Sequence, residues 1–347
     1  MKSNFYFVRT PIQYLNAVEA RHSDKFKSDQ HHLIILSDFH RTITQIESII
    51  QTDLWTTIQF PWKEFVSKKN YPLFNAIYIL KRKIKIDRII ATINNKDLIF
   101  WGNINSNWFF YLYHTTKSTF YILDDGLVSI GTIMNTDFNL IKSTLLSSKL
   151  GKIERFILKL NYRVKWERIH FFTNFDLKTS LKKIELHQYD YLSKQFKISK
   201  LSKSVFFVGQ PLIFQKMMKK EIYVGLVNSI INYYNNKNYE CYYVPHRSTT
   251  LDYIPKNWLT KSFNKPLEYI LFEEQIEKPL IFASFYSSAL YNIAMMDKNL
   301  NFKYEYWQFD ERDLMNFSMK KIVEAYDFVK SQSRENVSFH NTSDINA

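Results

Sequence analysis

Glycine is scarce in this chain. Six of its 347 residues are glycine, where average usage of roughly 7% would give about 24. They are Gly102, Gly126, Gly131, Gly151, Gly209 and Gly225. No pair has the G-x-G-x-x-G or G-x-x-x-x-G-K-[ST] spacing, which speaks against a dinucleotide fingerprint or a P-loop. Cysteine is scarcer still: Cys241 stands alone, so an internal disulfide, a Cys-rich zinc site and paired-thiol redox chemistry are excluded. No apolar run reaches the ~18 residues of a membrane span. The opening MKSNFYFVRTPIQ passes from one lysine into a strand-like run without the apolar core of a signal peptide. A cytoplasmic protein, soluble or peripheral, is the resulting expectation. Acidic residues are outnumbered 33 to 47 by Lys and Arg, a formal charge of +14. That excess points to an anionic partner: nucleic acid, anionic lipid or a nucleotide-linked substrate.

What the chain has in quantity is apolar and aromatic sequence, with 46% hydrophobic residues including 29 Phe, 23 Tyr and 7 Trp. Short β-branched and aromatic runs alternate with helical stretches, the pattern of parallel sheets wrapped by helices. Strands are predicted at 4–8, 32–38, 87–92, 97–102, 119–125 and 168–173, then at 204–209, 240–245 and 278–284. Helices are predicted at 11–22, 41–52, 212–236 and 313–331. The lysine-rich stretch 194–204 divides the chain into an α/β domain over 1–203 and a second over 204–312. The helix 313–331 is expected to cross back onto the first domain, and the polar tail 332–347 to fray. In such folds ligands sit outside the carboxyl ends of strands, so residues ending strands are the informative ones.

Four such strand ends carry chemistry. Asp124-Asp125-Gly126 closes an apolar strand with two adjacent carboxylates. A carboxylate held there can act as general base on a sugar hydroxyl, although Asp-Asp-Gly is also ordinary turn sequence. Pro245-His246-Arg247-Ser248 groups an imidazole, a guanidinium and a hydroxyl, donors suited to a phosphate. Ser287 and Ser288 stand where a strand runs into a helix, where hydroxyls cap the helix and its first amides favour an anion. Gly209-Gln210-Pro211-Leu212 is a strand-turn-helix junction at which a backbone can approach a ligand closely. There is no H-E-x-x-H, no Cys/His cluster, no G-x-S-x-G and no D-x-D, so neither a metal nor another cofactor is expected. Residues 142–168 hold eight basic residues among two acidic ones, interleaved with Leu, Ile, Phe and Trp. That composition suits an anionic membrane surface, a polyanion, or a solvated basic helix packed on one face.

In their order, these motifs resemble the bacterial sialyltransferases of glycosyltransferase family 52 and the related bacterial polysialyltransferases. Asp124-Asp125-Gly126 corresponds to their D/E-D/E-G motif, His246 to their His-Pro motif and Ser287-Ser288 to their Ser-Ser/Thr motif. The opening Val8-Arg9-Thr10-Pro11-Ile12-Gln13, Gly209-Gln210-Pro211-Leu212 and Pro266-Leu267-Glu268 also match, and the resemblance spans roughly residues 4–295. One departure is that His-Pro has become Pro245-His246-Arg247. The resemblance implies a GT-B architecture, two Rossmann-like domains facing a central cleft, with acceptor on the first and CMP on the second. It implies an inverting, metal-independent transfer of a nonulosonic acid such as sialic acid from a CMP-activated donor. The acceptor would be a sugar hydroxyl of a capsule or lipopolysaccharide glycan. Asp124 would be the base, with Asp125 as the alternative, and His246 would meet the departing phosphate. Ser287, Ser288, Arg247 and Gly209 would hold the nucleotide, and Glu268 its ribose. Two other readings stand beside it: a GT-B transferase using CMP-Kdo or a polyol-phosphate donor, and a nucleic-acid-binding protein. The second ranks last because the aromatics fall in core-like apolar runs, so no nucleic acid partner is expected.

Overall fold

The computed structural model describes residues 2–27, 29–37, 40–62, 72–91, 98–125, 145–146, 149–176, 183–198, 200–246, 253–315, 319–332 and 334–345. The chain divides into two compact units, Met1–Leu192 and Ser193–Ala347. The division falls before the lysine-rich stretch rather than at 203/204. Lys197 N donates to Leu271 O and the strand that follows starts at Leu201, so this stretch is built into the second unit.

In the first unit seven strands pair in the order β3-β2-β1-β4-β5-β6-β7, every pairing parallel. They are β1 (Ser3–Val8), β2 (Gln30–Ile35), β3 (Thr57–Gln59), β4 (Leu98–Gly102), β5 (Thr119–Leu123), β6 (Ile169–Thr173) and β7 (Lys183–Leu186). The helices of this unit include α1 (Pro11–His22), α2 (His40–Glu47), α3 (Pro72–Ala91), α4 (Asn107–Thr115) and α5 (Lys149–Ile157). Strand order reverses between β1 and β4, which makes their carboxyl ends the switch point of a doubly wound sheet. Both sheet faces are clad in rings. Tyr6, Trp101 and Tyr121 stack at 5.1 and 4.3 Å on one face, and Phe7, Phe100 and Phe120 at 5.6 and 5.3 Å on the other. All six are buried, so these rings are core.

The second unit holds a parallel sheet in the order β12-β11-β10-β8-β9. Its strands are β8 (Leu201–Val208), β9 (Glu240–Val244), β10 (Lys278–Ser284), β11 (Lys303–Gln308) and β12 (Val337–Asn341). Its helices include α6 (Lys220–Asn236), α7 (Ser288–Met296) and α8 (Met319–Ser331). Here the order reverses between β8 and β10.

Several elements differ from expectation. Of the strand expected at 87–92, residues 87–91 instead end α3, and residue 92 lies outside the described residues: Tyr78, Ile79, Arg82, Ile86 and Ile89 are buried at helical spacing, and the local β-branched run is overridden by that longer period. The helix expected over 212–236 begins at Lys220, because residues 212–216 form turns and Met218 bridges Leu314. Helix α8 packs within the second unit, with Tyr326 Oη donating to Trp307 O and Phe328 lying against Tyr291. The tail expected to fray forms β12, in register with β11 from Tyr304 opposite Val337 to Gln308 opposite Asn341. Strands β3, β7 and β11 were not predicted either; β11 nevertheless alternates, burying Tyr304 and Tyr306 between Lys303 and the half-exposed Glu305.

Candidate functional site

At the switch point of the first sheet, β1 runs into α1 through Arg9 and Thr10. Thr10 is the N-cap: its Oγ1 accepts from Gln13 N at 3.4 Å, and Pro11 fills the first helical turn, where a missing N–H costs nothing. The same hydroxyl donates to Asp125 Oδ1 at 2.9 Å. From the end of β4, Asn103 Nδ2 donates to Asp125 Oδ2 at 2.9 Å, and Asn103 Oδ1 accepts from Asn105 N at 2.7 Å. That second bond fixes which way the Asn103 amide faces. Asp125 is half-buried, and each of its carboxylate oxygens accepts from a neutral side-chain donor, which orients the group.

Beside it a recess is lined by Arg9, Asn103 and Ser106 over a floor that includes Phe7, Phe100 and Trp108. Gln13 Oε1 accepts from Arg9 N at 2.8 Å, and the buried Gln13 Nε2 has no hydrogen-bond partner among the described residues.

Asp124 occupies a different environment. It is 3% exposed; its Oδ2 accepts from Asn174 N at 3.0 Å, its backbone O accepts from Asn16 Nδ2, and the Thr173 hydroxyl bonds the carboxyl. Burial pushes its pKa up to about 8, against the pull of the Asn174 amide and the Thr173 hydroxyl; the Asp125 charge adds to the rise. Asp124 therefore ties β5 to the end of β6 and to α1, while Asp125 is held by Thr10 and by Asn103, which lines the recess. Sequence reasoning gave no role to Thr10, Asn103 or Gln13. A Thr-Pro pair opening a helix is a signal that could have found Thr10 as a cap, but its reach to residue 125 depends on tertiary structure.

In the second unit the topology brings Gly209, His246 and Ser287 to the carboxyl ends of the neighbouring strands β8, β9 and β10. Gly209 N donates to Val244 O at 2.9 Å, and a Cβ at Gly209 would lie 2.2 Å from the Tyr243 hydroxyl. Tyr243 Oη and Tyr223 Oη are 3.1 Å apart, and Tyr223 Oη accepts from Gln210 N at 3.1 Å. Burial pushes both phenols above the usual tyrosine range. Gln210 Oε1 is buried without a hydrogen-bond partner among the described residues.

Ser287 is the N-cap of α7, yet its hydroxyl makes no capping bond to the helix; Ser288 is the first helical residue and is half-exposed. An uncapped helix start beside a switch point offers amide and hydroxyl donors to an anion. Glu268 is buried and accepts from Asn292 Nδ2 at 3.3 Å, which ties it to α7. His246 is half-buried, two residues past β9. Gly126, Arg247 and Ser248 lie outside the described residues. Among the described residues no group of three or more His, Cys, Asp or Glu side chains is placed to hold a metal ion.

No protein-family model matches the chain, and no curated protein matches it. Among solved structures it is similar to Arabidopsis thaliana UGT89C1 complexed with UDP: 10% identity over 98% of this chain and 86% of that one, TM-score 0.52. Weaker likenesses include Methanocaldococcus jannaschii UDP-GlcNAc 2-epimerase in complex with UDP-GlcNAc and UDP, at 12% identity over 99% and 89% of the chains and TM-score 0.46. Another is the GT-B domain of the sialyltransferase from Photobacterium damselae, at 14% identity over 98% and 100% and TM-score 0.43. The fold is accordingly α/β with two Rossmann-like domains, the GT-B architecture.

Proposed function

We propose that this chain is a glycosyltransferase that moves a nonulosonic acid from a CMP-activated donor to a sugar hydroxyl of a capsule or lipopolysaccharide glycan. The observation that carries the reading is Asp125, a half-buried carboxylate at the β1/β4 switch point, oriented through both oxygens by Thr10 and Asn103. The fold and the order of motifs support it. Asp125 takes the proton of the acceptor hydroxyl as that oxygen attacks the anomeric carbon, and the bond from that carbon to the CMP phosphate oxygen breaks. Asp124 is a poorer base: its carboxyl is enclosed, and burial pushes its pKa up to about 8, so it keeps its proton near neutral pH.

The departing phosphate needs oriented donors where its charge develops. Ser287, Ser288 and the first amides of α7 supply them in this reading, with His246 donating a hydrogen bond or a proton and Arg247 adding charge. Gly209 lets the backbone come close to the nucleotide. Glu268 takes the ribose through a carboxylate that Asn292 holds. The transfer is inverting, by direct displacement, and needs no metal.

The test is release of CMP from CMP-sialic acid or a relative when a glycan acceptor is added in the presence of EDTA, together with thermal shifts with CMP, UDP and GDP. Acceptor-dependent CMP release and stabilisation by CMP are expected. Stabilisation by UDP alone would move the reading to a transferase with another donor.

A further inference from the structure

The basic, aromatic segment at 142–168 has no part in the proposed chemistry, and the described part of it, with α3, shows an unusual surface. Ten large apolar side chains are exposed among the described residues, and four of them lie on α3 and α5: Ile77 at 46%, Leu80 at 50%, Ile84 at 43% and Phe156 at 85%. These two helices pack against each other. On α3, Ile77, Leu80 and Ile84 follow at spacings of three and four, one helix face, and the exposed Lys81 and Arg88 continue that face. On α5, exposed Lys152 and Arg155 flank Phe156, and exposed Lys159 stands in the turn after the helix with its φ at 50°.

Acidic residues are turned away from these faces. Glu154 accepts from Asn107 Nδ2 at 2.7 Å, and Asp87 is bonded to Lys83 and to the Tyr111 hydroxyl. The side chains of Lys81, Arg88, Lys152, Arg155 and Lys159 make no hydrogen bond or ion pair with described residues. A solvated basic helix would turn its charges outward and its Phe and Ile inward. Here both classes point outward together.

We propose that α3 and α5 form a membrane-docking surface for an anionic lipid bilayer. The apolar side chains enter the boundary between headgroups and acyl chains, and the exposed cations meet lipid phosphates. This mode of attachment needs no spanning segment, and among the described residues no helix is long and apolar enough to cross a membrane. A soluble polyanion would satisfy the cations and leave Ile77, Leu80, Ile84 and Phe156 in water, so charge complementarity together with apolar exposure selects the bilayer.

The test is flotation of the full chain with phosphatidylcholine vesicles and with mixed phosphatidylcholine–phosphatidylglycerol vesicles, for wild type, Phe156→Ser and the Leu80→Ser/Ile84→Ser pair. Binding to the mixed vesicles alone is expected, weakened at least about fivefold in each variant. Phe156→Trp supplies a second readout that does not depend on affinity: its emission should shift to the blue on mixed vesicles and be quenched by brominated acyl chains. Equal binding to both vesicle types, or to neither, overturns the proposal. So does binding to mixed vesicles with an unshifted, unquenched tryptophan, or a Phe156→Ser variant that floats as well as wild type while heparin displaces both, since each describes a purely electrostatic polyanion site.

Discussion

The two sheets are built alike and end differently. Both are parallel, both reverse strand order beside a central strand, and both have a helix starting at that reversal. The first ends on a carboxylate held by Thr10 and Asn103; the second ends on serine hydroxyls and the uncapped start of α7, with its acid, Glu268, buried against Asn292. One edge can accept a proton and the other can stabilise an anion, a division that fits attack on one substrate and departure of another. A second contrast lies at short range within Asp124-Asp125, where one carboxylate is enclosed in the core and its neighbour is half-buried at the strand ends.

That short-range contrast is the easiest to break. Asp125→Asn should lower turnover by about 10²-fold or more, the usual worth of a positioned base. Asp124→Asn should keep turnover within about tenfold, because an amide can still accept the Asn174 N–H. Steady-state CMP release measures both. The reverse ranking would return the base to Asp124 and leave Asp125 a turn residue.

The glycines sharpen the comparison next. At Gly209 an added Cβ would meet the Tyr243 hydroxyl at 2.2 Å and its ring carbons at 2.5 and 2.9 Å, whereas at Gly225, inside α6, nothing lies within 4 Å. Tyr243 is itself held between Tyr223 and Trp258. Gly209→Ala should therefore cost about 1–3 kcal/mol and lower the Tm by several degrees, roughly 2–4 °C per kcal/mol in a domain of this size. Gly225→Ala should raise stability by up to about 1 kcal/mol through helix propensity alone. Thermal denaturation decides; if Gly209→Ala is as mild as Gly225→Ala, the close packing of backbone on Tyr243 is not needed.

Much of the fold was readable in the sequence because the central strands are near-continuous apolar runs, as in NFYFV, TFYIL and SVFFV. The edges were less readable. Strand β12, VSFHN, and β7, KIEL, are short and half polar, and their stability comes from pairing with β11 and β6 rather than from their own burial. α3 was misread at its end because Ile89, Ile90 and Ala91 look like a strand until the buried positions upstream set the helical period. At the candidate site the sequence showed which residue types end strands but not which of two neighbouring carboxyls is enclosed. That distinction rests on Asn16, Asn174 and Thr173, which lie far from the motif in sequence.

The enclosure of Asp124 has a consequence for stability that turnover does not report. Its carboxyl has a pKa of about 8 in the folded chain, raised by burial from an ordinary value of 3.8. Between these values the native state keeps a proton that the unfolded chain has released, so the slope of unfolding free energy with pH is negative. This group's contribution to stability is therefore lost as pH rises from about 4 towards about 8, and levels off above. Asp124→Asn removes the titration and keeps an acceptor for the Asn174 amide. The difference in Tm between variant and wild type should favour the variant increasingly from pH 5 to pH 8, by roughly 3 °C or more. Groups that do not interact with Asp124, such as His31 with its pKa lowered to about 4 by burial, affect both proteins equally and cancel. A difference that stays constant with pH would mean that Asp124 is ionised throughout, and the enclosed carboxyl would then compete with Asp125 as the base.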